Sequence, residues 1–166
     1  KTFSEDGWTL KKQLAAKKNC LKEEHLNFRN KSEISLLKKY CDKTKDKSNN
    51  IICEKDYLST DNCLKQINFL NPDLIVVFGT SLLKGDILND YAKRIINVHL
   101  GLSPYYRGSG SNYFPFVNNE PEYVGATFMF LDKGIDTGNI IHQIRPRINL
   151  NEDYYEISTK FIIQMS

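Results

Sequence analysis

Residues 94–108 run Arg94-Ile-Ile-Asn-Val-His-Leu-Gly-Leu-Ser-Pro-Tyr-Tyr-Arg-Gly108, a short apolar strand followed by a loop rich in glycine, serine and tyrosine. Asn97 and His99 lie two positions apart at the end of this strand, so their side chains leave the extended chain on the same side. In open α/β sheets, ligands bind at the carboxyl ends of the strands. The stretch therefore predicts a cleft lined by an amide and an imidazole, although a purely structural Asn-x-His pair fits the same pattern.

The segment before this strand predicts a parallel pair. Leu74-Ile-Val-Val-Phe78 is a continuous apolar run between Pro72 and Gly79, which is typical of a strand buried on both faces. A helix over residues 82–91 is expected to connect it to the strand at 94–99. The order helix, strand, helix, strand indicates βαβ units.

Periodicity and capping residues predict the remaining elements. Helical spacing covers residues 7–45 with a break near Asn27–Lys31, and the polar segment 42–50 is expected to be a surface loop. A second helix should begin at Ser59-Thr60-Asp61 and stop at Asn71-Pro72-Asp73. The other expected elements are a strand at 51–53, a short helix at 112–117, strands at 123–131 and 140–148 that could pair antiparallel, and a helix from 151 to 163.

Composition limits the class of protein. A chain of 166 residues with 40% hydrophobic content, nine Phe and nine Tyr is expected to form one domain with a real core. No apolar run reaches the roughly 18 residues of a membrane span, so no membrane contact is expected. The cysteines at 20, 41, 53 and 63 lack CxxC spacing. They indicate reduced thiols in a cytoplasmic protein, without a metal site.

The positive charge is concentrated in the first third of the chain. Residues 1–50 hold 13 Lys and Arg against 7 Asp and Glu, a net charge of +6, whereas the whole chain carries +3. Such a segment could touch a nucleic acid or a phosphorylated substrate. A solvated helical face is favoured, because no aromatic residues alternate with the lysines as a stacking platform requires.

A second motif, Asp132-Lys-Gly-Ile-Asp-Thr-Gly-Asn-Ile140, supplies the carboxylate of Asp136. An amide can hold a developing oxyanion, an imidazole can carry a proton near neutral pH, and a carboxylate can orient the imidazole. Together these groups suit acyl transfer between amines. Gly134 and Gly138 are expected to adopt positive φ and to allow close approach of a flat ligand. A calcium loop is rejected, because no third acid and no closing Glu follow at EF-hand spacing.

Together, the two motifs resemble those of the formyltransferase family that uses 10-formyltetrahydrofolate, which includes glycinamide ribonucleotide, methionyl-tRNA and sugar N-formyltransferases. The resemblance covers residues 72–148. It implies an α/β, Rossmann-like fold whose mostly parallel sheet is flanked by helices. The family's first strand is not found, so residues 1–166 are expected to be a single catalytic domain that is incomplete at both ends.

The resemblance also implies site residues. The catalytic residues map onto Asn97, His99 and Asp136. The acceptor is expected beside Tyr106, Arg107 and Gly108. The pterin of the co-substrate 10-formyltetrahydrofolate is expected to contact the backbone of two loops, formed by Thr80, Ser81, Leu82 and Leu83 and by Leu131, Asp132, Lys133, Gly134 and Ile135.

Two features depart from the family pattern, the missing first strand with its glycine-rich loop and residue 101. Family members often have Ser two residues after the catalytic His, where this chain has Gly101, so any role of that hydroxyl is absent or is supplied elsewhere. Gly108-Ser-Gly-Ser111 is similar to a phosphate loop, but it follows the catalytic strand instead of opening a βαβ unit. It is therefore a weak indication of anion binding.

The acceptor is left open between several amines. Recognition of tRNA would be expected to use an additional C-terminal domain, and glycinamide ribonucleotide an early glycine-rich loop. A small-molecule amine, an amino-sugar nucleotide, is therefore favoured over a nucleic acid. The alternatives are methionyl-tRNA, glycinamide ribonucleotide, hydrolysis of the formyl donor, and a folate-binding module without turnover. A homodimer is compatible with each of these.

Overall fold

The computed structural model describes residues 2–5, 20–41, 48–149 and 151–165. Its strands are β1 Thr2–Glu5, β2 Asn50–Cys53, β3 Ile75–Phe78, β4 Ile95–His99, β5 Ala126–Phe130 and β6 Ile140–Ile144. Its helices are α1 Cys20–Cys41, α2 Asp61–Leu70, α3 Ile87–Asp90, α4 Phe114–Val117 and α5 Tyr154–Met165, with 3₁₀ turns at Tyr57–Ser59 and Pro121–Tyr123. None of these helices is both long and apolar enough to cross a membrane.

The described residues fall into two compact units. One unit contains residues 3–5 and 51–145 and carries β3 to β6, whereas the other contains α1 and α5. Within the first unit, four strands form a sheet in the order β3-β4-β5-β6, and β1 pairs with β2 in a separate two-stranded sheet. All of the residues predicted to form the site belong to the first unit.

The four-stranded sheet is mixed, whereas the sequence led us to expect a mostly parallel one. β3 and β4 are parallel and are connected through α3, which confirms the predicted βαβ unit. β4 and β5 are antiparallel, and so are β5 and β6. The reason is the short connection from β5 to β6, since only a longer crossover returns a chain in parallel.

β3 is a strand, as predicted, but it is not buried on both faces. Val77 is buried in a cluster with residues of α2, α3 and β4, while Val76 and Phe78 are 59% and 47% exposed. Among the described residues, the apolar cluster around Val77 covers one face of β3, and the other face, which carries Val76 and Phe78, stays largely exposed. The continuous apolar run therefore predicted more burial of β3 than the structure shows.

α2 follows its predicted capping closely. The Thr60 side chain accepts a hydrogen bond from the backbone N–H of Cys63, and Asn71 ends the helix in the left-handed region. Cys63 and Ile67 face the core. The predicted helix at 82–91 is much shorter than expected, because Gly85 takes a φ of 80° and the chain does not become helical before Ile87.

The predicted break near residues 27–31 is wrong, because α1 is continuous from Cys20 to Cys41. The segment contains neither Gly nor Pro. The guanidinium of Arg29 lies 2.6 Å from the carboxylate of Glu33 one turn later, which supports the helix across the expected break. The predicted helical residues 7–19 and loop residues 42–47 lie outside the described residues.

The last elements agree with prediction apart from their bounds. β5 and β6 pair antiparallel, as expected, although both are shorter than predicted. α4 begins at Phe114 rather than at 112. α5 begins at Tyr154, where the Asp153 side chain accepts a hydrogen bond from the backbone N–H of Glu156. The final helix thus starts three residues later than the sequence suggested.

Candidate active site

Asn97, His99 and Asp136 come together at the carboxyl end of β4. The Asn97 amide Nδ2 donates to Asp136 Oδ1 at 2.7 Å, and His99 Nδ1 lies 3.2 Å from Asp136 Oδ2. His99 is 7% exposed and the Asp136 side chain 13%. The predicted same-side placement of Asn97 and His99 is therefore confirmed, because both side chains contact one carboxylate.

The loop between β5 and β6 delivers this carboxylate. Asp136 itself takes the left-handed region with a φ of 51°, which is uncommon for a residue with a side chain and more tolerable for Asp than for most. The expectation that Gly134 and Gly138 would have positive φ is wrong, since neither does. Gly138 is needed for space instead, because a Cβ there would overlap the carbonyl of Phe130 at the end of β5.

Two other segments of the chain contact the Asp136 carboxylate. Asn97 and His99 contact it from the end of β4, and the backbone N–H of Gly108, in the loop after β4, donates to Oδ2 at 2.8 Å. Gly108 has a φ of 77°, a conformation that favours glycine. Hydrogen bonds of this kind to a charged acceptor are stronger than those between neutral groups. Asp136 therefore ties the end of β4, the loop after β4 and its own loop together.

The His99 ring lies between two hydrogen-bond acceptors. Its Nδ1 faces the Asp136 carboxylate, and its Nε2 lies 3.0 Å from the backbone carbonyl oxygen of Tyr106. A neutral imidazole has one N–H, whereas the imidazolium has two. Only the imidazolium donates to both acceptors at once, so this arrangement suits a ring that stabilises negative charge during a reaction.

Residues that sequence reasoning missed hold the loop after β4. Thr127 of β5 is fully buried; its hydroxyl donates to the Gly101 carbonyl at 2.7 Å and accepts from the Ser103 backbone N–H at 3.0 Å. Gln143 of β6 donates to the Ser103 carbonyl at 2.7 Å. The Ser103 hydroxyl in turn donates to the Asp136 carbonyl at 3.3 Å. The only available signal was that Thr127 and Gln143 are polar residues within apolar strands.

The two loops predicted to hold the pterin lie on the same side of β4. Leu83 is buried in the apolar cluster of α2 and α3, and Leu131 packs against that cluster. The hydroxyl of Ser59, which was not predicted, accepts from the Lys84 backbone N–H at 3.0 Å and donates to the Leu82 carbonyl at 3.4 Å. Thr80 and Ser81 are half-buried between Gly79 and these residues.

A cavity of about 310 Å³ adjoins the second of these loops. It is lined by Leu88, Ala92 and Lys93 on one side and by residues 130–133, 138 and 139 on the other. Leu131, Asp132 and Lys133 are therefore brought to the cavity, whereas residues 80–83, Gly134 and Ile135 are not among its lining. Asp132 is occupied within its own loop, since its Oδ1 accepts from Gly134 N–H and from the Thr137 hydroxyl.

Two of the predicted acceptor residues contact the site through their backbone, Tyr106 at His99 Nε2 and Gly108 at Asp136. The Tyr106 hydroxyl donates to Glu120 and accepts from Asn118 at 2.9 Å, and the bond to Glu120 raises the pKa of Tyr106 above its ordinary value. Arg107 is exposed. Tyr105, also exposed, has its ring centroid 4.7 Å from that of Tyr123. In the part of the chain that the structure describes, no three His, Cys, Asp or Glu side chains form a metal-binding group.

Comparison with known proteins shows which sequences this chain is similar to. Residues 12–164 match the family model described as formyl transferase. A methionyl-tRNA formyltransferase from Thermodesulfovibrio yellowstonii is 32% identical over 114 residues, which cover 68% of this chain and 36% of that protein. The chain spans between about a quarter and a third of the length of the curated relatives it matches.

Solved structures show the same α/β fold. Phosphoribosylglycinamide formyltransferase from Bacillus halodurans matches with a TM-score of 0.57 at 24% identity, over 68% of this chain and 61% of that chain. The formyltransferase PseJ from Anoxybacillus kamchatkensis, in complex with UDP-4,6-dideoxy-4-formamido-L-AltNAc and tetrahydrofolate, matches with a TM-score of 0.54 at 24% identity. That match covers 81% of this chain and 67% of that chain.

Proposed function

The chain belongs to the formyl transferase family, and on that premise we propose that it transfers the formyl group of 10-formyltetrahydrofolate to a primary amine. The observation that carries this proposal is the contact of Asp136 with both Asn97 and His99, at 2.7 and 3.2 Å. An amide, an imidazole and a carboxylate in mutual contact provide the groups that acyl transfer between two nitrogens requires.

In the proposed reaction, the neutral acceptor amine attacks the formyl carbon on N10 of the folate. A bond forms between the amine nitrogen and this carbon, and the carbonyl oxygen becomes an oxyanion. Asn97 gives one amide N–H to Asp136 and keeps a second for the oxyanion. His99 Nε2 supplies the other donor. In the structure, the Tyr106 carbonyl oxygen contacts His99 Nε2 at the position where we place the formyl oxygen. The substrate therefore has to displace this carbonyl.

One proton then has to move from the attacking nitrogen to N10. Asp136 is placed to accept and return it, directly or through a water, while it stabilises the charged form of His99. Breaking the bond between carbon and N10 releases tetrahydrofolate and leaves the acceptor as a formamide. The proton lost by the amine equals the proton gained by N10, so the reaction is balanced without any other reactant.

We assign the pterin to the two loops named above, Thr80–Leu83 and Leu131–Ile135. The fit rests on their chemistry: Leu83 and Leu131 give an apolar wall, and the cavity beside Leu131 is open to a flat ring. Backbone groups and the Asp132 loop add polar partners. Tyr106, Arg107 and Gly108 are assigned to the acceptor side, where Arg107 is exposed and can pair with an anionic group.

For the acceptor, the names of the curated relatives favour methionyl-tRNA over the amino-sugar nucleotide that the sequence suggested. Methionyl-tRNA is therefore the acceptor we place first, and a nucleic-acid partner replaces the small molecule expected earlier. The amino-sugar nucleotide is kept second on one observation. Tyr105 is 67% exposed and is backed by Tyr123, so it offers a surface on which a sugar or base can stack.

The test is tetrahydrofolate release from 10-formyltetrahydrofolate in the presence of methionyl-tRNA, glycinamide ribonucleotide or an amino-sugar nucleotide. We expect release that depends on one of these amines, greatest with methionyl-tRNA, and that is lost in His99→Ala. Release at the same rate without any amine would assign hydrolysis instead. Tight folate binding without release under any condition would identify a folate-binding module and refute the transferase.

A further inference from the structure

Gly101 lies in a space too small for any side chain. A Cβ at this position would stand 2.5 Å from His99 Nε2, 2.5 Å from the Cβ of Ser111 and 2.8 Å from the Tyr106 carbonyl oxygen. Real Cβ atoms essentially never approach other atoms this closely. The side chain of Ser111, from the far end of the same loop, therefore occupies the volume beside the imidazole that residue 101 leaves empty.

The Ser111 hydroxyl is tied to the active site through backbone atoms. It donates to the carbonyl oxygen of Gly108 at 2.6 Å, and the N–H of Gly108 donates to Asp136 Oδ2 at 2.8 Å. The same carboxylate oxygen faces His99 Nδ1. Ser111 is thus two hydrogen bonds away from the carboxylate, and its Cβ lies next to the other end of the His99 ring.

Burial makes this short chain of hydrogen bonds well defined. Ser111 is only 3% exposed and His99 only 7%. The hydrogen bond from the buried Ser111 hydroxyl to the Gly108 carbonyl is partly shielded from water, so removing the donor weakens the hold on this carbonyl. Gly108 takes a left-handed conformation, which the loop does not impose by itself. The hydrogen bond from Ser111 to the Gly108 carbonyl fixes the orientation of the peptide groups that follow.

We propose that Ser111 is a positioning residue of the active site, which fixes the backbone conformation of Gly108 and thereby the direction of the N–H that holds Asp136 beside His99. The proposal rests on the proposed function, because it assigns Ser111 to the reaction of Asn97, His99 and Asp136. Ser111 does not touch the reacting atoms. Its loss acts on the contact between Asp136 and His99 and should leave the proposed pterin loops at residues 80–83 and 131–135 unchanged.

The direct test is Ser111→Ala in the full chain, which removes the hydroxyl and keeps the Cβ. We expect kcat to fall by up to roughly tenfold, the rate change that corresponds to the net contribution of about one hydrogen bond, while KM for 10-formyltetrahydrofolate stays within about twofold. Ser109→Ala is the matched control, since Ser109 is exposed in the same loop, and it should retain the parental kcat. Ser111→Cys keeps a weaker donor in place and should fall between the two.

A second readout is independent of turnover. The chain contains three histidines, so nitrogen-15 NMR of histidine-labelled protein resolves the His99 ring, which is identified by its loss in His99→Gln. Ser111→Ala should move the His99 signals, and Ser109→Ala should not. If the unsubstituted chain transfers no formyl group, the proposed function fails, whereas the NMR comparison still decides the role of Ser111.

Two results would overturn the proposal. One is a kcat for Ser111→Ala within twofold of the parent, together with unmoved His99 signals. The other is an equal loss in Ser109→Ala, which would indicate a general effect on the loop. If Ser111→Ala melts too low to assay, Ser111→Cys provides the same comparison with both measurements.

Discussion

The loop after β4, residues 100–112, and the loop after β3, residues 79–86, are held in very different ways. The β4 loop is attached by the buried side chains of Thr127 and Ser111 and by the side chain of Gln143, and it has no space at Gly101. The β3 loop is attached at Ser59, and the two glycines Gly79 and Gly85 have open space around them. We infer that the proposed catalytic side is largely set before substrate arrives, with the Tyr106 carbonyl having to move off His99 Nε2, while the proposed pterin side retains more room to adjust. A fixed arrangement is what transition-state stabilisation requires.

The largest expected effect comes from removing the groups that the β4 loop surrounds. Asn97→Ala, His99→Ala and Asp136→Ala should each lower kcat by on the order of a hundredfold or more, because each removes a donor or its orienting carboxylate. Binding of 10-formyltetrahydrofolate should change little. Steady-state kinetics with folate binding measured separately checks this, and near-normal turnover in any one variant would remove that residue from the assignment.

The second prediction compares the two loops through their glycines. Gly101→Ala should displace His99 and lower kcat by roughly a hundredfold, the cost of a misplacement near 1 Å. Gly79→Ala meets no atom within 4 Å, so only its left-handed φ of 61° is strained, at roughly 1–2 kcal/mol. Its kcat should be unchanged.

Thermal unfolding and kcat, measured on both glycine variants, separate these outcomes. Gly79→Ala should lower the midpoint by roughly 2–8 °C, since about 1 kcal/mol corresponds to 2–4 °C in a chain of this size. If Gly101→Ala were as active as Gly79→Ala, the catalytic side would not be the rigid one, and the contrast between the loops would be lost.

Much of this arrangement was predictable because it depends on local patterns. Strands β3 and β4, the Thr60 cap and the same-side placement of Asn97 and His99 follow from apolar runs, capping chemistry and strand alternation. The left-handed φ of Asp136 was not predictable, because this conformation is uncommon for a residue with a side chain and the sequence beside it does not show how the loop closes. The parts that failed depend on contacts between residues far apart in sequence.

Two further examples show the same limit. Nothing near Gly101 in the sequence indicates that Ser111 fills the space beside His99, since the two residues meet only when the loop folds back. The expected helix at 82–91 was also mostly loop: Leu83 and Ile87 stand four residues apart, as in a helix, and both pack into the core, but Gly85 between them takes a φ of 80° and the helix begins only at Ile87. Apolar periodicity records burial, and burial alone does not fix the backbone.

The third prediction addresses the β3 loop. Ser59→Ala removes the bonds to Leu82 and Lys84, so this loop should sample more conformations before the folate binds. We expect KM for 10-formyltetrahydrofolate to rise roughly twofold to tenfold, with kcat unchanged. The opposite pattern, a lower kcat at constant KM, would place Ser59 on the catalytic side and contradict the division between the loops.

The smallest expected effect lies outside both loops, at His25 in α1. Burial, and then the charge of Arg29, lower the pKa of His25 below its ordinary value. The neutral ring lies 3.0 Å from the Tyr155 hydroxyl of α5. Because the unfolded chain takes up this proton first as the pH falls below about 6.5, the contribution of His25 to stability is lost over that range.

Proton NMR titration of His25 and unfolding free energies at pH 7.5 and 5.5 test this effect. The His25→Gln variant should show a smaller decrease of stability between these two values, while its kcat at pH 7.5 should match the parent. A His25 pKa at or above the ordinary value would contradict the expected direction. A reduced kcat would show that the helical unit contributes to the site.

The most direct test of the central claim follows a carbon-13 formyl group from 10-formyltetrahydrofolate to the acceptor amine by mass spectrometry, in the parent chain and in Asp136→Asn. The amide retains the shape of Asp136 but loses the charge that faces His99. We expect label in the acceptor with the parent, and transfer slowed roughly a hundredfold or more in Asp136→Asn with folate binding retained. Label found only in formate, or equal transfer by both proteins, would contradict formyl transfer by Asn97, His99 and Asp136.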